Sequence, residues 1–375
     1  MTGAFHELGR YVTDEATGRL HANPAPWTRD FSVLFIEQPI GVGFSGVGER
    51  RRPTFSSAAA VDLVSALDAF FSAHPKLAAR PLILAGESYA GRYLPETADL
   101  ALRLQDGPVP GRPVDGALPK GPLSFRIRGV AIGNGLVDPE SQAAMIAPYL
   151  HERGLINDTA LAVAAEYNKN LSAAVADGRW SDAHSYREGV VDYLTGAALP
   201  PNGTLLDVRR TAGYDPGNTV RRLLRRNESR AALGVDAASP PWVRKATDVA
   251  KALHDDKAVS AAPLVADVLA RGLPVLLYYG VEDAKDGAYS SAPWISRLAW
   301  PGRAAYDADA AEVLPRQPDG DPGGVVKSGG GLSVAEIYGA GHMAPRDQPE
   351  VTRALLGWWV GDEVLGGVES VAAAG

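Results

Sequence analysis

Short apolar runs alternate with longer amphipathic stretches through most of this chain, a pattern that predicts strands and helices taking turns. Residues 33–38 (VLFIEQ), 81–85 (PLILA) and 125–132 (FRIRGVAI) read as strands, and residues 58–71 and 93–104 read as the helices between them. Such alternation predicts a doubly wound α/β sheet. It stops after Asp138. Helix-rich, Ala- and Arg-rich sequence from about Ser141 to His254 predicts an insertion, and the core resumes with a helix near residues 263–270 and strands at 274–279 and 333–338. The expected organisation is a discontinuous core, residues 1–140 and 255–375, with a helical cap at 141–254. Gly- and Pro-rich residues 317–331 read as a surface loop. Trp358 and Trp359, in a C-terminal amphipathic helix, read as packing residues, and no internal repeat is present.

Two strand ends carry chemistry. The run at 81–85 leads into GESYAG, where small residues bracket Ser88 before a helix. A serine hydroxyl is a poor nucleophile unless a tight strand-to-helix turn exposes it to an imidazole and to backbone N–H donors, and small neighbours permit that turn. Ala90 holds the last glycine position of the usual G-x-S-x-G, with Gly91 following, so alone the segment also reads as a strand exit with a surface serine. The strand at 333–338 runs into Gly339-Ala340-Gly341-His342, placing one of seven histidines on a loop at a strand's C-terminal end, where α/β sheets hold ligands. Between them, past Gly280, stand three acids: Glu282, Asp283 and Asp286. The order serine, acid, histidine is that of an α/β-hydrolase triad. A rival reading takes residues 41–46 (GVGFSG) as a dinucleotide fingerprint, but Gly48, three arginines and Pro53 intervene before any helix could hold a pyrophosphate. Neither H-E-x-x-H nor paired cysteines occur, so no cofactor and no metal are expected.

Five segments in this order resemble the serine carboxypeptidase family: FHELGRYV (5–12), NPAPWTRDFSVLFIEQPIGVGFS (23–45), GESYAGRYLPE (86–96), GVAIGNGLVDPESQ (129–142) and GAGHMAPRDQPE (339–350). Residues 161–253 match weakly, although ESRAALGV (228–235) and Trp242 are similar to a family segment. The resemblance implies an α/β-hydrolase sheet with a helical cap insertion, and release of C-terminal amino acids from peptides through an acyl-enzyme in acid. It places the nucleophile at Ser88, the base at His342 and the orienting acid at Asp283, although the family usually has another Asp where Val281 stands. The backbone N–H of Tyr89 would serve as an oxyanion donor. Glu7 and Glu87 would bind the substrate's terminal carboxylate, one keeping its proton because two adjacent carboxyls cannot both ionise cheaply. Acyltransferase relatives carry Asp where Glu87 stands, so Glu87 favours peptide C-termini as partners; Glu7 alone reads as an exposed glutamate near the start.

The resemblance also implies what is missing. The family's Gly-Gly-Pro-Gly oxyanion loop and a preceding strand belong upstream of residues 1–5, so the chain is expected to lack its N-terminal strands and that loop. A gap is expected between the strand at 33–38 and the one feeding Ser88. Impaired activity, or a catalytically inactive peptide-binding protein or acyltransferase, are the alternative readings that follow.

Composition agrees with a large soluble enzyme. With 375 residues and 46% hydrophobic content the chain can bury one large core. A net charge of −7 argues against nucleic-acid and anionic-membrane partners. Arg221, Arg222, Arg225, Arg226 and Arg230 read as a solvated helix face. No run reads as long and apolar enough to cross a bilayer, and the charged first residues read as no signal peptide. There are no cysteines, whereas family members usually have several. Four N-glycosylation sequons, at Asn157, Asn170, Asn202 and Asn227, lie in the expected insertion. With the resemblance, they point to a secreted or vacuolar/lysosomal location for the intact gene product.

Overall fold

A computed structural model of the chain describes residues 1–366 except 16, 47–51, 107–117, 120, 211–215 and 315–319. A small antiparallel hairpin, β1 (Tyr11–Thr13) and β2 (Leu20–Ala22), precedes the main sheet. That sheet comprises β3 (Leu82–Glu87), β4 (Ile127–Gly133), β5 (Val275–Gly280), β6 (Glu312–Val313), β7 (Gly324–Gly329) and β8 (Leu332–Ile337), in the order β3-β4-β5-β8-β7-β6. Strands β3, β4, β5 and β8 run parallel; at one edge β7 returns antiparallel to β8, and β6 pairs antiparallel with β7.

Every residue of β5 is buried, as expected of a parallel strand covered on both faces. Val275, Leu277 and Tyr279 join one apolar cluster with α1 (Ser56–Ala73) and α3 (Ala90–Asp106), which flank the short α2 (Pro75–Ala78). Leu276 and Tyr278 join the opposite cluster with Trp27, Leu355 and Trp359. The period-2 alternation of one strand therefore feeds two helical layers. Trp359, at the end of the helix Pro349–Trp359, is fully buried, and its ring lies where a Cβ on Gly129 of β4 would come within 2.6 Å. Trp359→Ala is expected to cost about 3–5 kcal/mol, read from the shift in denaturant midpoint at unchanged slope.

Between β4 and β5 all described elements are helical, beginning with α4 (Pro139–Glu152), α5 (Asp158–Ala176) and α6 (Trp180–Tyr193). They build their own cluster around Ile146, Leu150, Ala164, Val190 and Leu194. In the arginine-rich stretch, Arg222, Arg225 and Arg226 are exposed, while Val220 and Leu224 are buried with Trp242. Arg230 departs from that face: it is half-buried and donates to the carbonyls of Asp236, Ser239 and Pro240.

Three expectations are corrected. Residues 33–38 are not a strand: among the described residues they join no ladder, and Leu34 and Ile36 are exposed. The sheet ends instead at β3, so the apolar run has no neighbour to pair with, and apolar periodicity cannot supply one. The supposed loop at 317–331 contains β7, whose VVKS core pairs antiparallel with β8 between flanking glycines. Finally, α1 is long and apolar enough to cross a membrane by length and composition. Its apolar positions, among them Val61, Val64, Leu67 and Phe71, are instead buried in the cluster beneath the sheet.

Candidate active site

The C-terminal ends of the four parallel strands lie side by side, and each leads into a polar residue. Ser88 follows β3, Asn134 follows β4, Asp283 lies three residues past β5 and His342 five past β8. The parallel ladders continue just beyond the strands: Ser88 N donates to Gly133 O at 3.0 Å, Asn134 N to Tyr278 O at 2.9 Å and Val281 N to Ile337 O at 3.1 Å.

Ser88 has φ 62°, left-handed backbone that costs a non-glycine residue about 1–3 kcal/mol and persists only where its surroundings enforce it. Here the Ser88 carbonyl accepts from Gly91 N at 3.0 Å and Leu136 N at 2.8 Å. The crowding explains the altered motif. A Cβ at Gly86 would lie 2.6 Å from the Ala90 methyl, so alanine fits at 90 only because 86 is glycine. A Cβ at Gly91 would lie 2.7 Å from Leu136 N, which makes 91 the position with no room.

His342 and Asp283 are both buried, and His342 Nδ1 lies 2.6 Å from Asp283 Oδ2. The same oxygen accepts from Asn134 Nδ2 at 2.9 Å, while Oδ1 accepts from the amides of Lys285 at 2.9 Å and Asp286 at 3.2 Å. Burial opposes charge on the imidazole, but the charge and hydrogen bond of Asp283 outweigh it, and the His342 pKa is raised. The other two acids are engaged elsewhere. Glu282 pairs with Arg153, just past the end of α4, at 3.0 Å, and Asp286 faces Arg187 of α6 at 3.5 Å. No hydrogen bond joins Ser88 Oγ to His342 among the described residues; that contact is of the kind that tightens when substrate binds.

Glu7 is buried rather than exposed, on the turn Gly3–Glu7, and its carboxyl hydrogen-bonds that of Glu87. Burial raises both pKa values. Glu87 is pushed furthest, because the charge of Glu7 and that hydrogen bond add to the desolvation. Within Coulombic reach stand His342 and Arg346, which favour ionisation of Glu7, Asp347, which opposes it, and Asp283, which opposes ionisation of Glu87. Burial and mutual repulsion therefore favour a retained proton on this carboxyl pair.

Asn134, which neither strand-end motif includes, also belongs to this cluster. It is fully buried with φ 41°, its Oδ1 accepts from Gly280 N at 3.0 Å, and its amide holds Asp283. The available signal was an asparagine between two glycines directly after an apolar strand, since Asn tolerates left-handed backbone better than most residues. The helical segment contributes through its backbone. Leu205 O accepts from Ala284 N at 2.9 Å, Leu206 O from His342 N at 2.7 Å, and Val208 N donates to Glu282 O at 3.0 Å, so one stretch of chain ties the acid loop to the histidine loop. Among the described residues no three or more His, Asp or Glu side chains are grouped to hold a metal ion.

A family profile described as serine carboxypeptidase matches residues 1–362. "Serine carboxypeptidase-like 50" of Arabidopsis thaliana is 31% identical over 369 residues, covering 98% of this chain and 78% of that protein. "Carboxypeptidase Y homolog A" of Trichophyton verrucosum is 27% identical, covering 97% of this chain and 66% of its own length. The crystal structure of Kex1(delta)p, a prohormone-processing carboxypeptidase from Saccharomyces cerevisiae, aligns with a TM-score of 0.79 at 22% identity, over 96% of this chain and 80% of that one. That likeness establishes the α/β-hydrolase fold. The matched segments, the sheet they build and the length of the match together show that the chain belongs to the serine carboxypeptidase family.

Proposed function

We propose that Ser88 is the acylated nucleophile of a serine carboxypeptidase acting on peptide C-termini, with His342 as base, Asp283 as orienting acid and the Tyr89 N–H as an oxyanion donor. Ser88 Oγ attacks the last peptide carbonyl while His342 takes its proton. The imidazolium, stabilised by Asp283, then gives that proton to the leaving amine, and the C-terminal amino acid departs. Water, deprotonated by the same imidazole, attacks the acyl-enzyme, and the proton returns to Ser88 as the shortened peptide leaves. Glu7 and Glu87 receive the terminal carboxylate, which accepts a hydrogen bond from their retained proton.

The buried Glu7–Glu87 carboxyl pair carries this reading, because Glu87 directly precedes Ser88 and a pair that favours a retained proton suits an anionic substrate end, which a general esterase does not need. Peptidase activity rises as His342 loses its proton and falls as the carboxyl pair loses its own. Both groups have raised pKa values, so the alkaline limb lies above the usual carboxylate range and the acid limb is set by the imidazole. An ester of a blocked amino acid with a simple alcohol has no carboxylate and is expected to keep the acid limb and lose the alkaline one. Glu87→Gln should remove the difference between the two substrates. Identical peptide and ester profiles in the unaltered protein would defeat the carboxylate-binding role. The pair also makes stability pH-dependent: the contribution is full below the unfolded-state pKa and is lost as pH rises through the raised folded-state values.

The division into a core of residues 1–140 and 255–375 and a cap at 141–254 is supported by the separate apolar cluster of the helices and by their contact with the site loops. Exposure of Asn157, Asn170, Asn202 and Asn227 supports glycosylation in a secretory or vacuolar compartment. Peptide-N-glycosidase treatment of the protein from its natural source is the direct check.

A further inference from the structure

Tyr89 follows Ser88, and its phenol donates a 2.5 Å hydrogen bond to Oδ2 of Asp256, 167 residues away on the turn Asp255–Ala258. Asp256 has no exposed surface. Its carboxylate also accepts from the amide of Ser56 at 2.9 Å, from the Ser56 hydroxyl and from Arg92 Nη2 at 3.3 Å. Ser56 opens α1, which has no side-chain cap at Phe55, so Asp256 supplies the acceptor and negative charge that a helix start favours. Arg92 lies in the first turn of α3, the helix leaving Ser88, and keeps a second partner in Glu96 at 3.2 Å. Burial and the charge of Asp256 push the Tyr89 pKa up, so the phenol remains a donor.

The structure assigns to Asp256 the role of a positioning residue: by fixing the Tyr89 side chain and the first turn of α3, it aims the Ser88–Tyr89 peptide N–H at the oxyanion. This rests on the reading of Ser88 and Tyr89 given above. The ladder and the loop at 133–136 hold Ser88 through its own backbone atoms. Because Ser88 O belongs to the Ser88–Tyr89 peptide, those bonds orient its plane, and Arg92 N holds Tyr89 O at 3.0 Å, but none of them reaches the Tyr89 side chain. Asp256 grips that residue by its side chain, and left-handed backbone at Ser88 needs such enforcement from more than one direction. The oxyanion donor is also the group for which small displacements are most costly, since its benefit depends on being aimed before charge develops.

Asp256→Asn keeps the shape and removes the charge, and Tyr89→Phe removes the donor while leaving Asp256 with Arg92. Each is expected to lower kcat by about 10- to 100-fold with KM little changed, the range of a slightly misplaced catalytic group. The loss should be uniform across substrates differing in the residue before the scissile bond, and fluorophosphonate inactivation should slow in parallel. The double variant should be no worse than the poorer single one, because both break one link. Ser56→Ala, which removes a donor to the same carboxylate and a contact of the Tyr89 phenol, should lower Tm and lower kcat less than either of those single variants. Wild-type kcat in Tyr89→Phe, additive losses in the double variant, or a loss confined to one class of acyl side chain would each overturn the assignment. Labelling that survives Ser88→Ala would instead overturn the nucleophile reading beneath it.

Discussion

Replacing Ser88 or His342 by alanine lowers kcat/KM for an N-blocked dipeptide by about four to six orders of magnitude, and the double variant is little worse than either single one. The non-additivity follows from the chemistry: without the base the hydroxyl keeps its proton, and without the hydroxyl the base has nothing to activate. Residual activity reflects substrate binding and oxyanion stabilisation. A fluorophosphonate probe gives the check, labelling the unaltered protein and sparing Ser88→Ala. Label retained in that variant would move the nucleophile to another residue.

Asp283→Asn is expected to cost about four orders of magnitude in kcat, because an amide facing Nδ1 holds the wrong tautomer and does not stabilise the imidazolium. The neighbouring acids respond differently. Glu282→Gln breaks a partly exposed pair with Arg153 and is expected to leave kcat within a few-fold, as surface pairs contribute at most about 1 kcal/mol. Asp286→Asn leaves the buried guanidinium of Arg187 facing an uncharged amide and should show mainly as lost stability. Measuring kcat and Tm for all three separates the catalytic acid from its neighbours. A larger kcat loss in Glu282→Gln or Asp286→Asn than in Asp283→Asn would reassign it.

Periodicity found the elements whose pattern is set by burial on known faces. The strand at 81–85 extends to Glu87 as β3, the helix near 263–270 is Ala262–Ala270, and β5 covers nearly the expected residues. It failed where the deciding partner lies elsewhere in the chain. Residues 33–38 are apolar enough for a strand, but strand formation is a property of pairs. The composition around β7 suggested a loop, because glycines crowd both ends of a short segment whose order comes from β8. Among the site residues, Ser88 and His342 announce themselves by local context. Glu7 does not, since only the folded chain sets it against Glu87. Local sequence leaves three neighbouring acids open; the resemblance points to Asp283, and the fold sets that one against His342. Asn134 and Asp256 meet partners far away in the chain; the asparagine between two glycines after a strand is a weak local signal, and Asp256 has none.

The backbone bridge at 205–208 makes the order of both site loops depend on the inserted helices. The acid loop is made after the helical segment and the histidine loop later still, yet both rest on carbonyls from that segment. The two loops also meet directly, Glu282 N donating to Ala340 O at 2.9 Å, so the bridge is a second tie laid over the one the sheet provides. A change that loosens the helical segment therefore reaches the Asp283–His342 pair through the main chain, without altering either side chain.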